Sequence, residues 1–230
     1  MIHCLHGAVG SFHAWETIRQ HLGESIQAID LWRFFDRSPH SLTAAGQSIS
    51  ETAKAGDVLL GYSMGGRLAL HALLADPEKW QAAIIVSAHP GLNEGQAERR
   101  AKDRDWAQLA DRDWSSFLRE WNQQGILESL PEGMAQADIK DQNSVSQSFL
   151  HWSLGIQKDL RPDFPEITCP VLWITGDRDP KFTALAKEAT ELLPNSENLI
   201  IEESGHRVPW DQPGEFCSAV QNFLQRLTTC

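Results

Sequence analysis

The sequence predicts an α/β protein with a mostly parallel sheet of about six strands that is flanked by helices. Short apolar segments typical of strands lie at residues 2–5, 26–30, 57–62, 83–87, 171–175 and 198–202. Their nearly continuous apolar character is that of strands buried on both faces of a parallel sheet. Segments of helical period lie between them, and this alternation indicates a doubly wound arrangement.

Two of the helical segments show a clear apolar face near the carboxyl end of the chain. The first face is formed by Leu185, Ala189, Leu192 and Leu193, and the second by Phe216, Val220, Phe223, Leu224 and Leu227. We expect both helices to pack against the sheet.

The alternation stops between residues 91 and 160, where no strand signal occurs. Trp114, Phe117, Leu118 and Trp121 recur at helical spacing, and the sequence LPEG at 130–133 predicts a turn. The prediction is a core formed by residues 1–90 and 161–230, with a helical cap insertion at 91–160. Such an insertion would lie over the carboxyl ends of the strands, where ligands bind in sheets of this kind.

Composition and charge exclude several classes of function. The chain has 230 residues and a formal net charge of −11, which disfavours binding to nucleic acid or to anionic membranes. It has no apolar run long enough for a transmembrane helix and no signal peptide pattern at MIHCLHG, so a cytoplasmic protein is expected. No metal site is predicted, and the sequence gives no indication of an oligomeric state.

The cysteines predict thiols rather than disulfides. Cys4, Cys169, Cys217 and Cys230 show no paired spacing, and the first two lie in or beside apolar strand-like segments. We therefore expect reduced, buried thiols, as in a protein of a reducing compartment.

The sequence GYSMGGR at 61–67 is the strongest indication of catalysis. It fits the pattern G-x-S-x-G, follows the apolar segment DVLLGY and precedes the helix-forming segment RLALHALL. In this strand–turn–helix setting, Ser63 would project from a strained turn at the end of the sheet as a nucleophile. An inert serine in a tight turn is the other interpretation.

A nucleophilic serine needs a base and an acid, which should follow it in the order acid, then histidine. His206 follows the predicted strand 198–202, and Asp177 and Asp179 directly follow the strand 171–175. The residues alone do not decide between the two aspartates. An oxyanion hole would use the backbone N–H groups of Met64 and of Ala8, in the loop after the first strand.

These motifs together resemble the α/β-hydrolase superfamily over nearly the whole chain. Within it, GYSMGGR, HPGL at 89–92, AERRAKDRDW at 97–106, DLR at 159–161 and GDRDPKF at 176–182 resemble one family. This family is the 2-succinyl-6-hydroxy-2,4-cyclohexadiene-1-carboxylate synthases of menaquinone and phylloquinone biosynthesis, the MenH type. The resemblance favours Asp179 over Asp177 as the acid.

The resemblance also implies a pocket for a small-molecule substrate with several carboxylates. Arg67, Arg99, Tyr62 and Trp121 match residues that bind substrate in that family. From the residues alone, other interpretations stay open. Arg67 could form an ion pair on a helix surface, Arg99 lies among charges typical of a solvated helix face, and Trp121 at helical spacing is by default a core residue.

The sequence departs from the family pattern in two places that bear on the pocket. The second strand is followed by DLWRFF rather than the usual turn, which would bring Arg33 near the pocket. A third pocket arginine has no clear match, and Lys140 is the nearest candidate. A lysine would keep the charge but lose the bidentate geometry of arginine.

The reaction that the resemblance implies is an elimination of pyruvate by a carbon–oxygen lyase, with Ser63, His206 and Asp179 assisting proton abstraction and with no cofactor. A carboxylesterase or thioesterase of the same fold is one alternative. A ligand-binding homologue without turnover is another, and the intact Ser–His–Asp set argues against it.

Overall fold

A six-stranded parallel sheet forms the centre of the molecule. The computed structural model describes residues 1–23, 26–37, 41–125, 127 and 130–228. The strands are β1 (Ile2–Leu5), β2 (Ile26–Ile29), β3 (Val58–Tyr62), β4 (Ala82–Val86), β5 (Val171–Gly176) and β6 (Ser196–Ile201). They pair in the order β2-β1-β3-β4-β5-β6, and every pairing is parallel. The predicted α/β fold is confirmed, with strand ends displaced by one or two residues.

Helices cover both faces of this sheet. One face carries α1 (Glu16–Leu22), α9 (Val208–Asp211) and α10 (Pro213–Thr228), and the other carries α2 (Leu31–Arg37), α3 (Leu42–Thr52), α4 (Met64–Ala75) and α8 (Pro180–Leu192). Successive side chains of β3 enter opposite cores, with Leu59 packed in one and Leu60 in the other. Within the described residues, no helix has the length and apolar character needed to cross a bilayer.

The chain leaves the sheet after β4 and returns to it at β5. The intervening segment forms α5 (Gln96–Arg112), α6 (Trp114–Asn122) and α7 (Gln142–His151). The predicted turn is present, because the N–H of Met134 donates to the carbonyl of Pro131 at 3.3 Å. We call residues 91–160 the insertion; the division of the chain at its two ends stays a prediction.

Two details of the fold differ from the expectations. We expected all strands to be buried on both faces, but β6 is an edge strand and Ile200 is 45% exposed. The predicted face of α8 is rotated, because Leu192 is exposed while Ala186, Ala189 and Leu193 are buried. The predicted face of α10 is confirmed, with Phe216, Val220 and Phe223 buried.

Three cysteines are free thiols within the core, as predicted. Cys4, Cys169 and Cys217 are buried and form no disulfide. Burial raises the pKa of Cys4 well above its ordinary value and raises the pKa of Cys169 and of Cys217 to about 11. The prediction for Cys230 lies outside the described residues.

These thiols should resist alkylation in the folded protein at neutral pH, because the thiolate is the reactive species and its formation is suppressed. Peptide mass spectrometry after iodoacetamide treatment should find Cys4, Cys169 and Cys217 unmodified in the native protein and modified in denaturant. Modification of Cys169 or Cys217 in the folded protein at the rate of a free cysteine would contradict this account.

Candidate active site

Ser63 lies at a sharp turn between β3 and α4. Its backbone angles, φ 53° and ψ −111°, are unfavourable for a residue with a side chain. The turn exists because glycines flank it: a Cβ on Gly65 would lie 2.3 Å from the carbonyl oxygen of Leu5, and a Cβ on Gly61 would lie 2.5 Å from that of Gly65. Strain of this kind costs about 1–3 kcal/mol and is typical of functional sites.

Ser63, His206 and Asp179 form a continuous hydrogen-bonded chain. The Oγ atom of Ser63 is 3.0 Å from Nε2 of His206, and Nδ1 of His206 is 2.7 Å from Oδ2 of Asp179. Asp179 and His206 are buried. If Nδ1 carries the proton toward the carboxylate, Nε2 accepts the hydroxyl proton of Ser63. This geometry can activate the serine or hold a base close to a bound molecule.

The two aspartates after β5 have different partners. Asp179 contacts His206, and its other oxygen accepts from the N–H of Phe182 at the start of α8. Asp177 instead accepts from the N–H of Ser204 at 3.1 Å, within the loop that carries the histidine. The geometry therefore favours Asp179 as the acid, and Asp177 braces the loop.

The loop after β1 lies against the serine and is fixed by a buried histidine. Ala8 and Met64, the residues expected to form the oxyanion hole, both line the cavity beside Ser63. Burial lowers the pKa of His6 to about 4, so its imidazole is neutral. Its Nδ1 is 2.9 Å from the carbonyl of Gly7, and its Nε2 lies 3.3 Å from the N–H of Leu31, so His6 donates through Nδ1 and accepts through Nε2.

The cavity in front of Ser63 has a volume of about 200 Å³ and is lined by cationic side chains. Among the described lining residues, none carries a carboxylate. The cations are Arg67, Arg99, Lys102, Lys181 and Arg207. In a chain with a formal net charge of −11, this local reversal of sign indicates a site for an anion.

Arg67 is buried at the first turn of α4, as expected for a pocket residue, but it is also anchored. Its Nη1 donates to Oε1 of Gln157 at 3.0 Å, and its Nη2 donates to the carbonyl of Trp152 at 2.7 Å. Burial, and then repulsion from Arg99, lowers the pKa of Arg67 to about 9. Neutral partners hold this charge in place without neutralising it, so a bound anion would stabilise it.

Arg99 reaches the same cavity from α5 and is held by a buried carboxylate. Its Nε is 2.9 Å and 3.0 Å from the two carboxylate oxygens of Asp103, one helical turn later. Asp103 also accepts from the hydroxyl of Ser153 at 2.6 Å. Asp103 contacts Nε, the guanidinium nitrogen nearest the aliphatic part of the side chain, and so holds the group from that side.

Sequence reasoning missed the other cations of the cavity. Lys102 lies three residues after Arg99 and so shares its helix face, a spacing that could have indicated it. Lys181 is the second residue of α8, two residues after Asp179, and burial and then repulsion from Arg99 lower its pKa. Arg207 directly follows His206. The latter two adjoin catalytic candidates in sequence, which was a signal of their position.

The aromatic residues predicted for the site both line the cavity. The ring of Tyr62 lies 5.6 Å from that of His206, and burial raises the pKa of its phenol above the ordinary value. Trp121 lines the cavity and also packs edge-on against Trp106 and Phe149. The functional and the core interpretation of Trp121 therefore both describe its environment.

The structure does not bring Lys140 or Arg33 to the cavity. Lys140 is exposed in a 3₁₀ turn at Ile139–Asp141, where Asp138 and Asp141 form a capping box that fixes the turn outside the site. Arg33 is exposed on α2, with its Nε 3.6 Å from Asp30. In the part of the chain that the structure describes, no group of His, Cys, Asp or Glu is arranged to hold a metal ion.

A parallel sheet with a sharp G-x-S-x-G turn between its third strand and the following helix is typical of one class of protein. A model of the alpha/beta hydrolase family matches residues 4–219. The chain therefore belongs to the α/β hydrolase family.

Two relatives within that family carry the same name. A protein of Serratia proteamaculans named 2-succinyl-6-hydroxy-2,4-cyclohexadiene-1-carboxylate synthase is 31% identical over 96% of this chain and 91% of its own length. An Escherichia coli protein of the same name is 27% identical over 96% of this chain and 92% of its own length. The chain thus belongs with the MenH-type members of the family.

Solved structures agree with the fold. MenH from S. aureus superimposes with a TM-score of 0.85 at 23% identity, covering 99% of this chain and 94% of that one. An esterase from Thermogutta terrifontis gives a TM-score of 0.73 at 18% identity, covering 98% of this chain and 89% of that one.

Asp179→Asn should slow the reaction of Ser63 with a small fluorophosphonate by about a hundredfold or more, because the imidazole loses its orienting anion. The measurement is the labelling rate at Ser63, followed by intact-protein mass spectrometry. Asp177→Asn is the matched control and should label within a few-fold of the unmodified protein. A large loss with Asp177→Asn and none with Asp179→Asn would reverse the assignment of the acid.

Proposed function

We propose that the protein is a 2-succinyl-6-hydroxy-2,4-cyclohexadiene-1-carboxylate synthase that eliminates pyruvate from 2-succinyl-5-enolpyruvyl-6-hydroxy-3-cyclohexene-1-carboxylate. The observation that carries the proposal is the cavity beside Ser63, which is lined by cations and, among its described residues, by no carboxylate. The names of the relatives in Serratia and Escherichia coli support the same reaction.

The proposed substrate matches this charge. It carries three carboxylates, on its ring, its succinyl chain and its enolpyruvyl group, and each can accept charge-assisted hydrogen bonds. Arg67 and Arg99 are fixed by other side chains or by backbone, so little entropy is lost when they bind. Lys102 and Lys181 are more exposed and would meet a carboxylate nearer the entrance.

Proton abstraction is the role that we propose for Ser63 and His206. His206, oriented by Asp179, takes the hydroxyl proton of Ser63, and the pair removes a carbon-bound proton of the substrate. The carbon–hydrogen electron pair moves into the ring system as the carbon–oxygen bond to the enolpyruvyl group breaks. The departing enolate takes up the proton that His206 received and becomes pyruvate, which returns His206 to its neutral form, and the cyclohexadiene remains.

Negative charge develops on a substrate oxygen during this step. The backbone N–H groups of Ala8 and Met64 are proposed to stabilise it, since both residues line the cavity beside Ser63. The reaction forms no acyl-enzyme and requires no cofactor. The proposed lyase therefore uses the catalytic groups of a hydrolase to break a different bond.

Ester hydrolysis is the second candidate, and the hydrogen bond of 3.0 Å between Ser63 and His206 favours it as well. In that reaction Ser63 would attack a carbonyl and form an acyl-enzyme. The cationic lining distinguishes the two candidates, because a neutral ester has no group that would compensate the charge of Arg67, whose hydrogen-bond partners are neutral.

Ser63→Ala should abolish pyruvate release, because the base that removes the carbon-bound proton is lost. Pyruvate is measured with a coupled lactate dehydrogenase assay, and the diene product by its absorbance. Ser196→Ala, at the start of β6 and bonded to the carbonyl of Thr190, is the control and should retain full activity. Retention of pyruvate release by Ser63→Ala would exclude the serine from the chemistry.

Arg99→Ala should raise the KM for the tricarboxylate by about tenfold or more, because a charge-assisted hydrogen bond contributes about 1.5–3 kcal/mol. Arg100→Ala removes the adjacent, exposed arginine and should change KM little. A neutral nitrophenyl ester is the comparison substrate, and its cleavage should respond equally to the two changes. If both variants changed the KM for the tricarboxylate equally, Arg99 would have no specific role in binding this substrate.

A further inference from the structure

Three polar side chains connect the insertion to the loop of His206, and a backbone bridge at Gln136 extends this connection to the loop after β1. Gln136 lies beside the loop after β1, Asn122 ends α6, and Arg207 follows the proposed base, His206. We call Gln136, Asn122 and Arg207 the amide chain. The proposed mechanism assigns no role to its members, although Gln136 and Arg207 line the same cavity as Ser63.

One end of the amide chain holds a strained segment of the loop after β1. Val9 has φ 58°, which is a costly conformation for a β-branched residue. The carbonyl of Val9 accepts from the N–H of Ala137 at 3.0 Å, and Gly10 forms an antiparallel bridge with Gln136. Strain persists where surrounding structure enforces it. Here the insertion supplies that constraint on Val9, the residue directly after Ala8.

In the middle of the amide chain, the side-chain amides of Asn122 and Gln136 donate to each other. The Nδ2 of Asn122 donates to Oε1 of Gln136 at 3.0 Å, and the Nε2 of Gln136 donates to Oδ1 of Asn122 at 3.1 Å. Asn122 also donates to the carbonyl of Leu118 within its own helix at 2.9 Å. Both donors and both acceptors are used, so the two side chains have one preferred arrangement.

The other end of the amide chain is Arg207, which directly follows His206, the proposed base. The Nη2 of Arg207 donates to Oδ1 of Asn122 at 2.7 Å, and its Nη1 donates to the carbonyl of Leu127 at 3.4 Å. Arg207 is also hydrogen-bonded to the hydroxyl of Tyr62. It is 2% exposed, so these contacts form in a poorly solvated environment where hydrogen bonds are strong.

We propose that the amide chain is a positioning device, which fixes the oxyanion loop and the loop of His206 relative to each other through the insertion. The inference rests on the proposed catalytic roles of Ser63, His206 and Ala8. Proton abstraction needs the base and the oxyanion donors to meet one substrate from two sides. A displacement of about 1 Å in such an arrangement can cost about a hundredfold in rate.

Asn122 is the residue through which the proposal is tested, since it contacts both other members of the amide chain. Asn122→Ala should lower kcat for pyruvate release, and the fluorophosphonate labelling rate of Ser63, by about tenfold, with KM changed less than threefold. Gln142→Ala is the control: this amide lies in the insertion and donates to the carbonyl of Ala110, away from the cavity. It should leave both rates unchanged, and thermal unfolding shows whether either variant remains folded.

Coupling within the chain is tested by the double variant. If Gln136, Asn122 and Arg207 act as one unit, the losses of the two single variants should not multiply. Both rates of the double variant, Asn122→Ala with Gln136→Ala, should then lie within about twofold of those of the slower single variant. Multiplied losses, a loss confined to KM, or wild-type rates for Asn122→Ala would each overturn the proposal. The labelling rate of Ser63 can be measured without synthase activity. This test therefore remains valid if the protein acts on another substrate.

Discussion

The close contact of Gly65 with the first strand is the constraint on which the active site depends. Because a Cβ at this position would lie 2.3 Å from the carbonyl of Leu5, only glycine allows α4 to begin directly behind Ser63. That approach holds Ser63 at φ 53° and directs its hydroxyl toward His206. It also sets the direction of α4, so that Arg67, one turn later, is buried against the cavity. The position of the proposed nucleophile, Ser63, and that of the buried cation, Arg67, therefore follow from one backbone turn.

The charge of the cavity is a second property that the fold stabilises at a cost. Burial of Arg67 beside Arg99 disfavours the charged guanidinium, as the lowered pKa of Arg67 indicates, and the partners of Arg67 are neutral. Such an arrangement is unfavourable without a ligand and becomes favourable when carboxylates enter. The site therefore stores binding free energy for an anion, whereas the surrounding acidic protein repels one. This contrast is the physical basis for preferring a polycarboxylate over a neutral ester.

Sequence patterns predicted the sheet, the elbow and the order of serine, aspartate and histidine, because each depends on local periodicity or on strand ends. They did not resolve Asp177 from Asp179, since both follow the same strand and only the tertiary contact with His206 separates them. Lys181 and Arg207 were missed because charges beside a motif usually face solvent. Lys140 was the nearest candidate for a third pocket arginine, and it lies outside the cavity because tertiary packing sets the path of the insertion. The amide chain joins residues 122, 136 and 207, a contact that no local pattern encodes.

The proposed active site combines a hydrolase-type serine with a pocket for several carboxylates, and the bond that it breaks distinguishes a lyase from an esterase. The most direct measurement incubates the purified protein with 2-succinyl-5-enolpyruvyl-6-hydroxy-3-cyclohexene-1-carboxylate and quantifies pyruvate and the diene product in the same sample. We expect both to appear in equal amounts and at the same rate, without added metal or cofactor. Absence of both products, in a preparation that cleaves nitrophenyl esters rapidly, would contradict it.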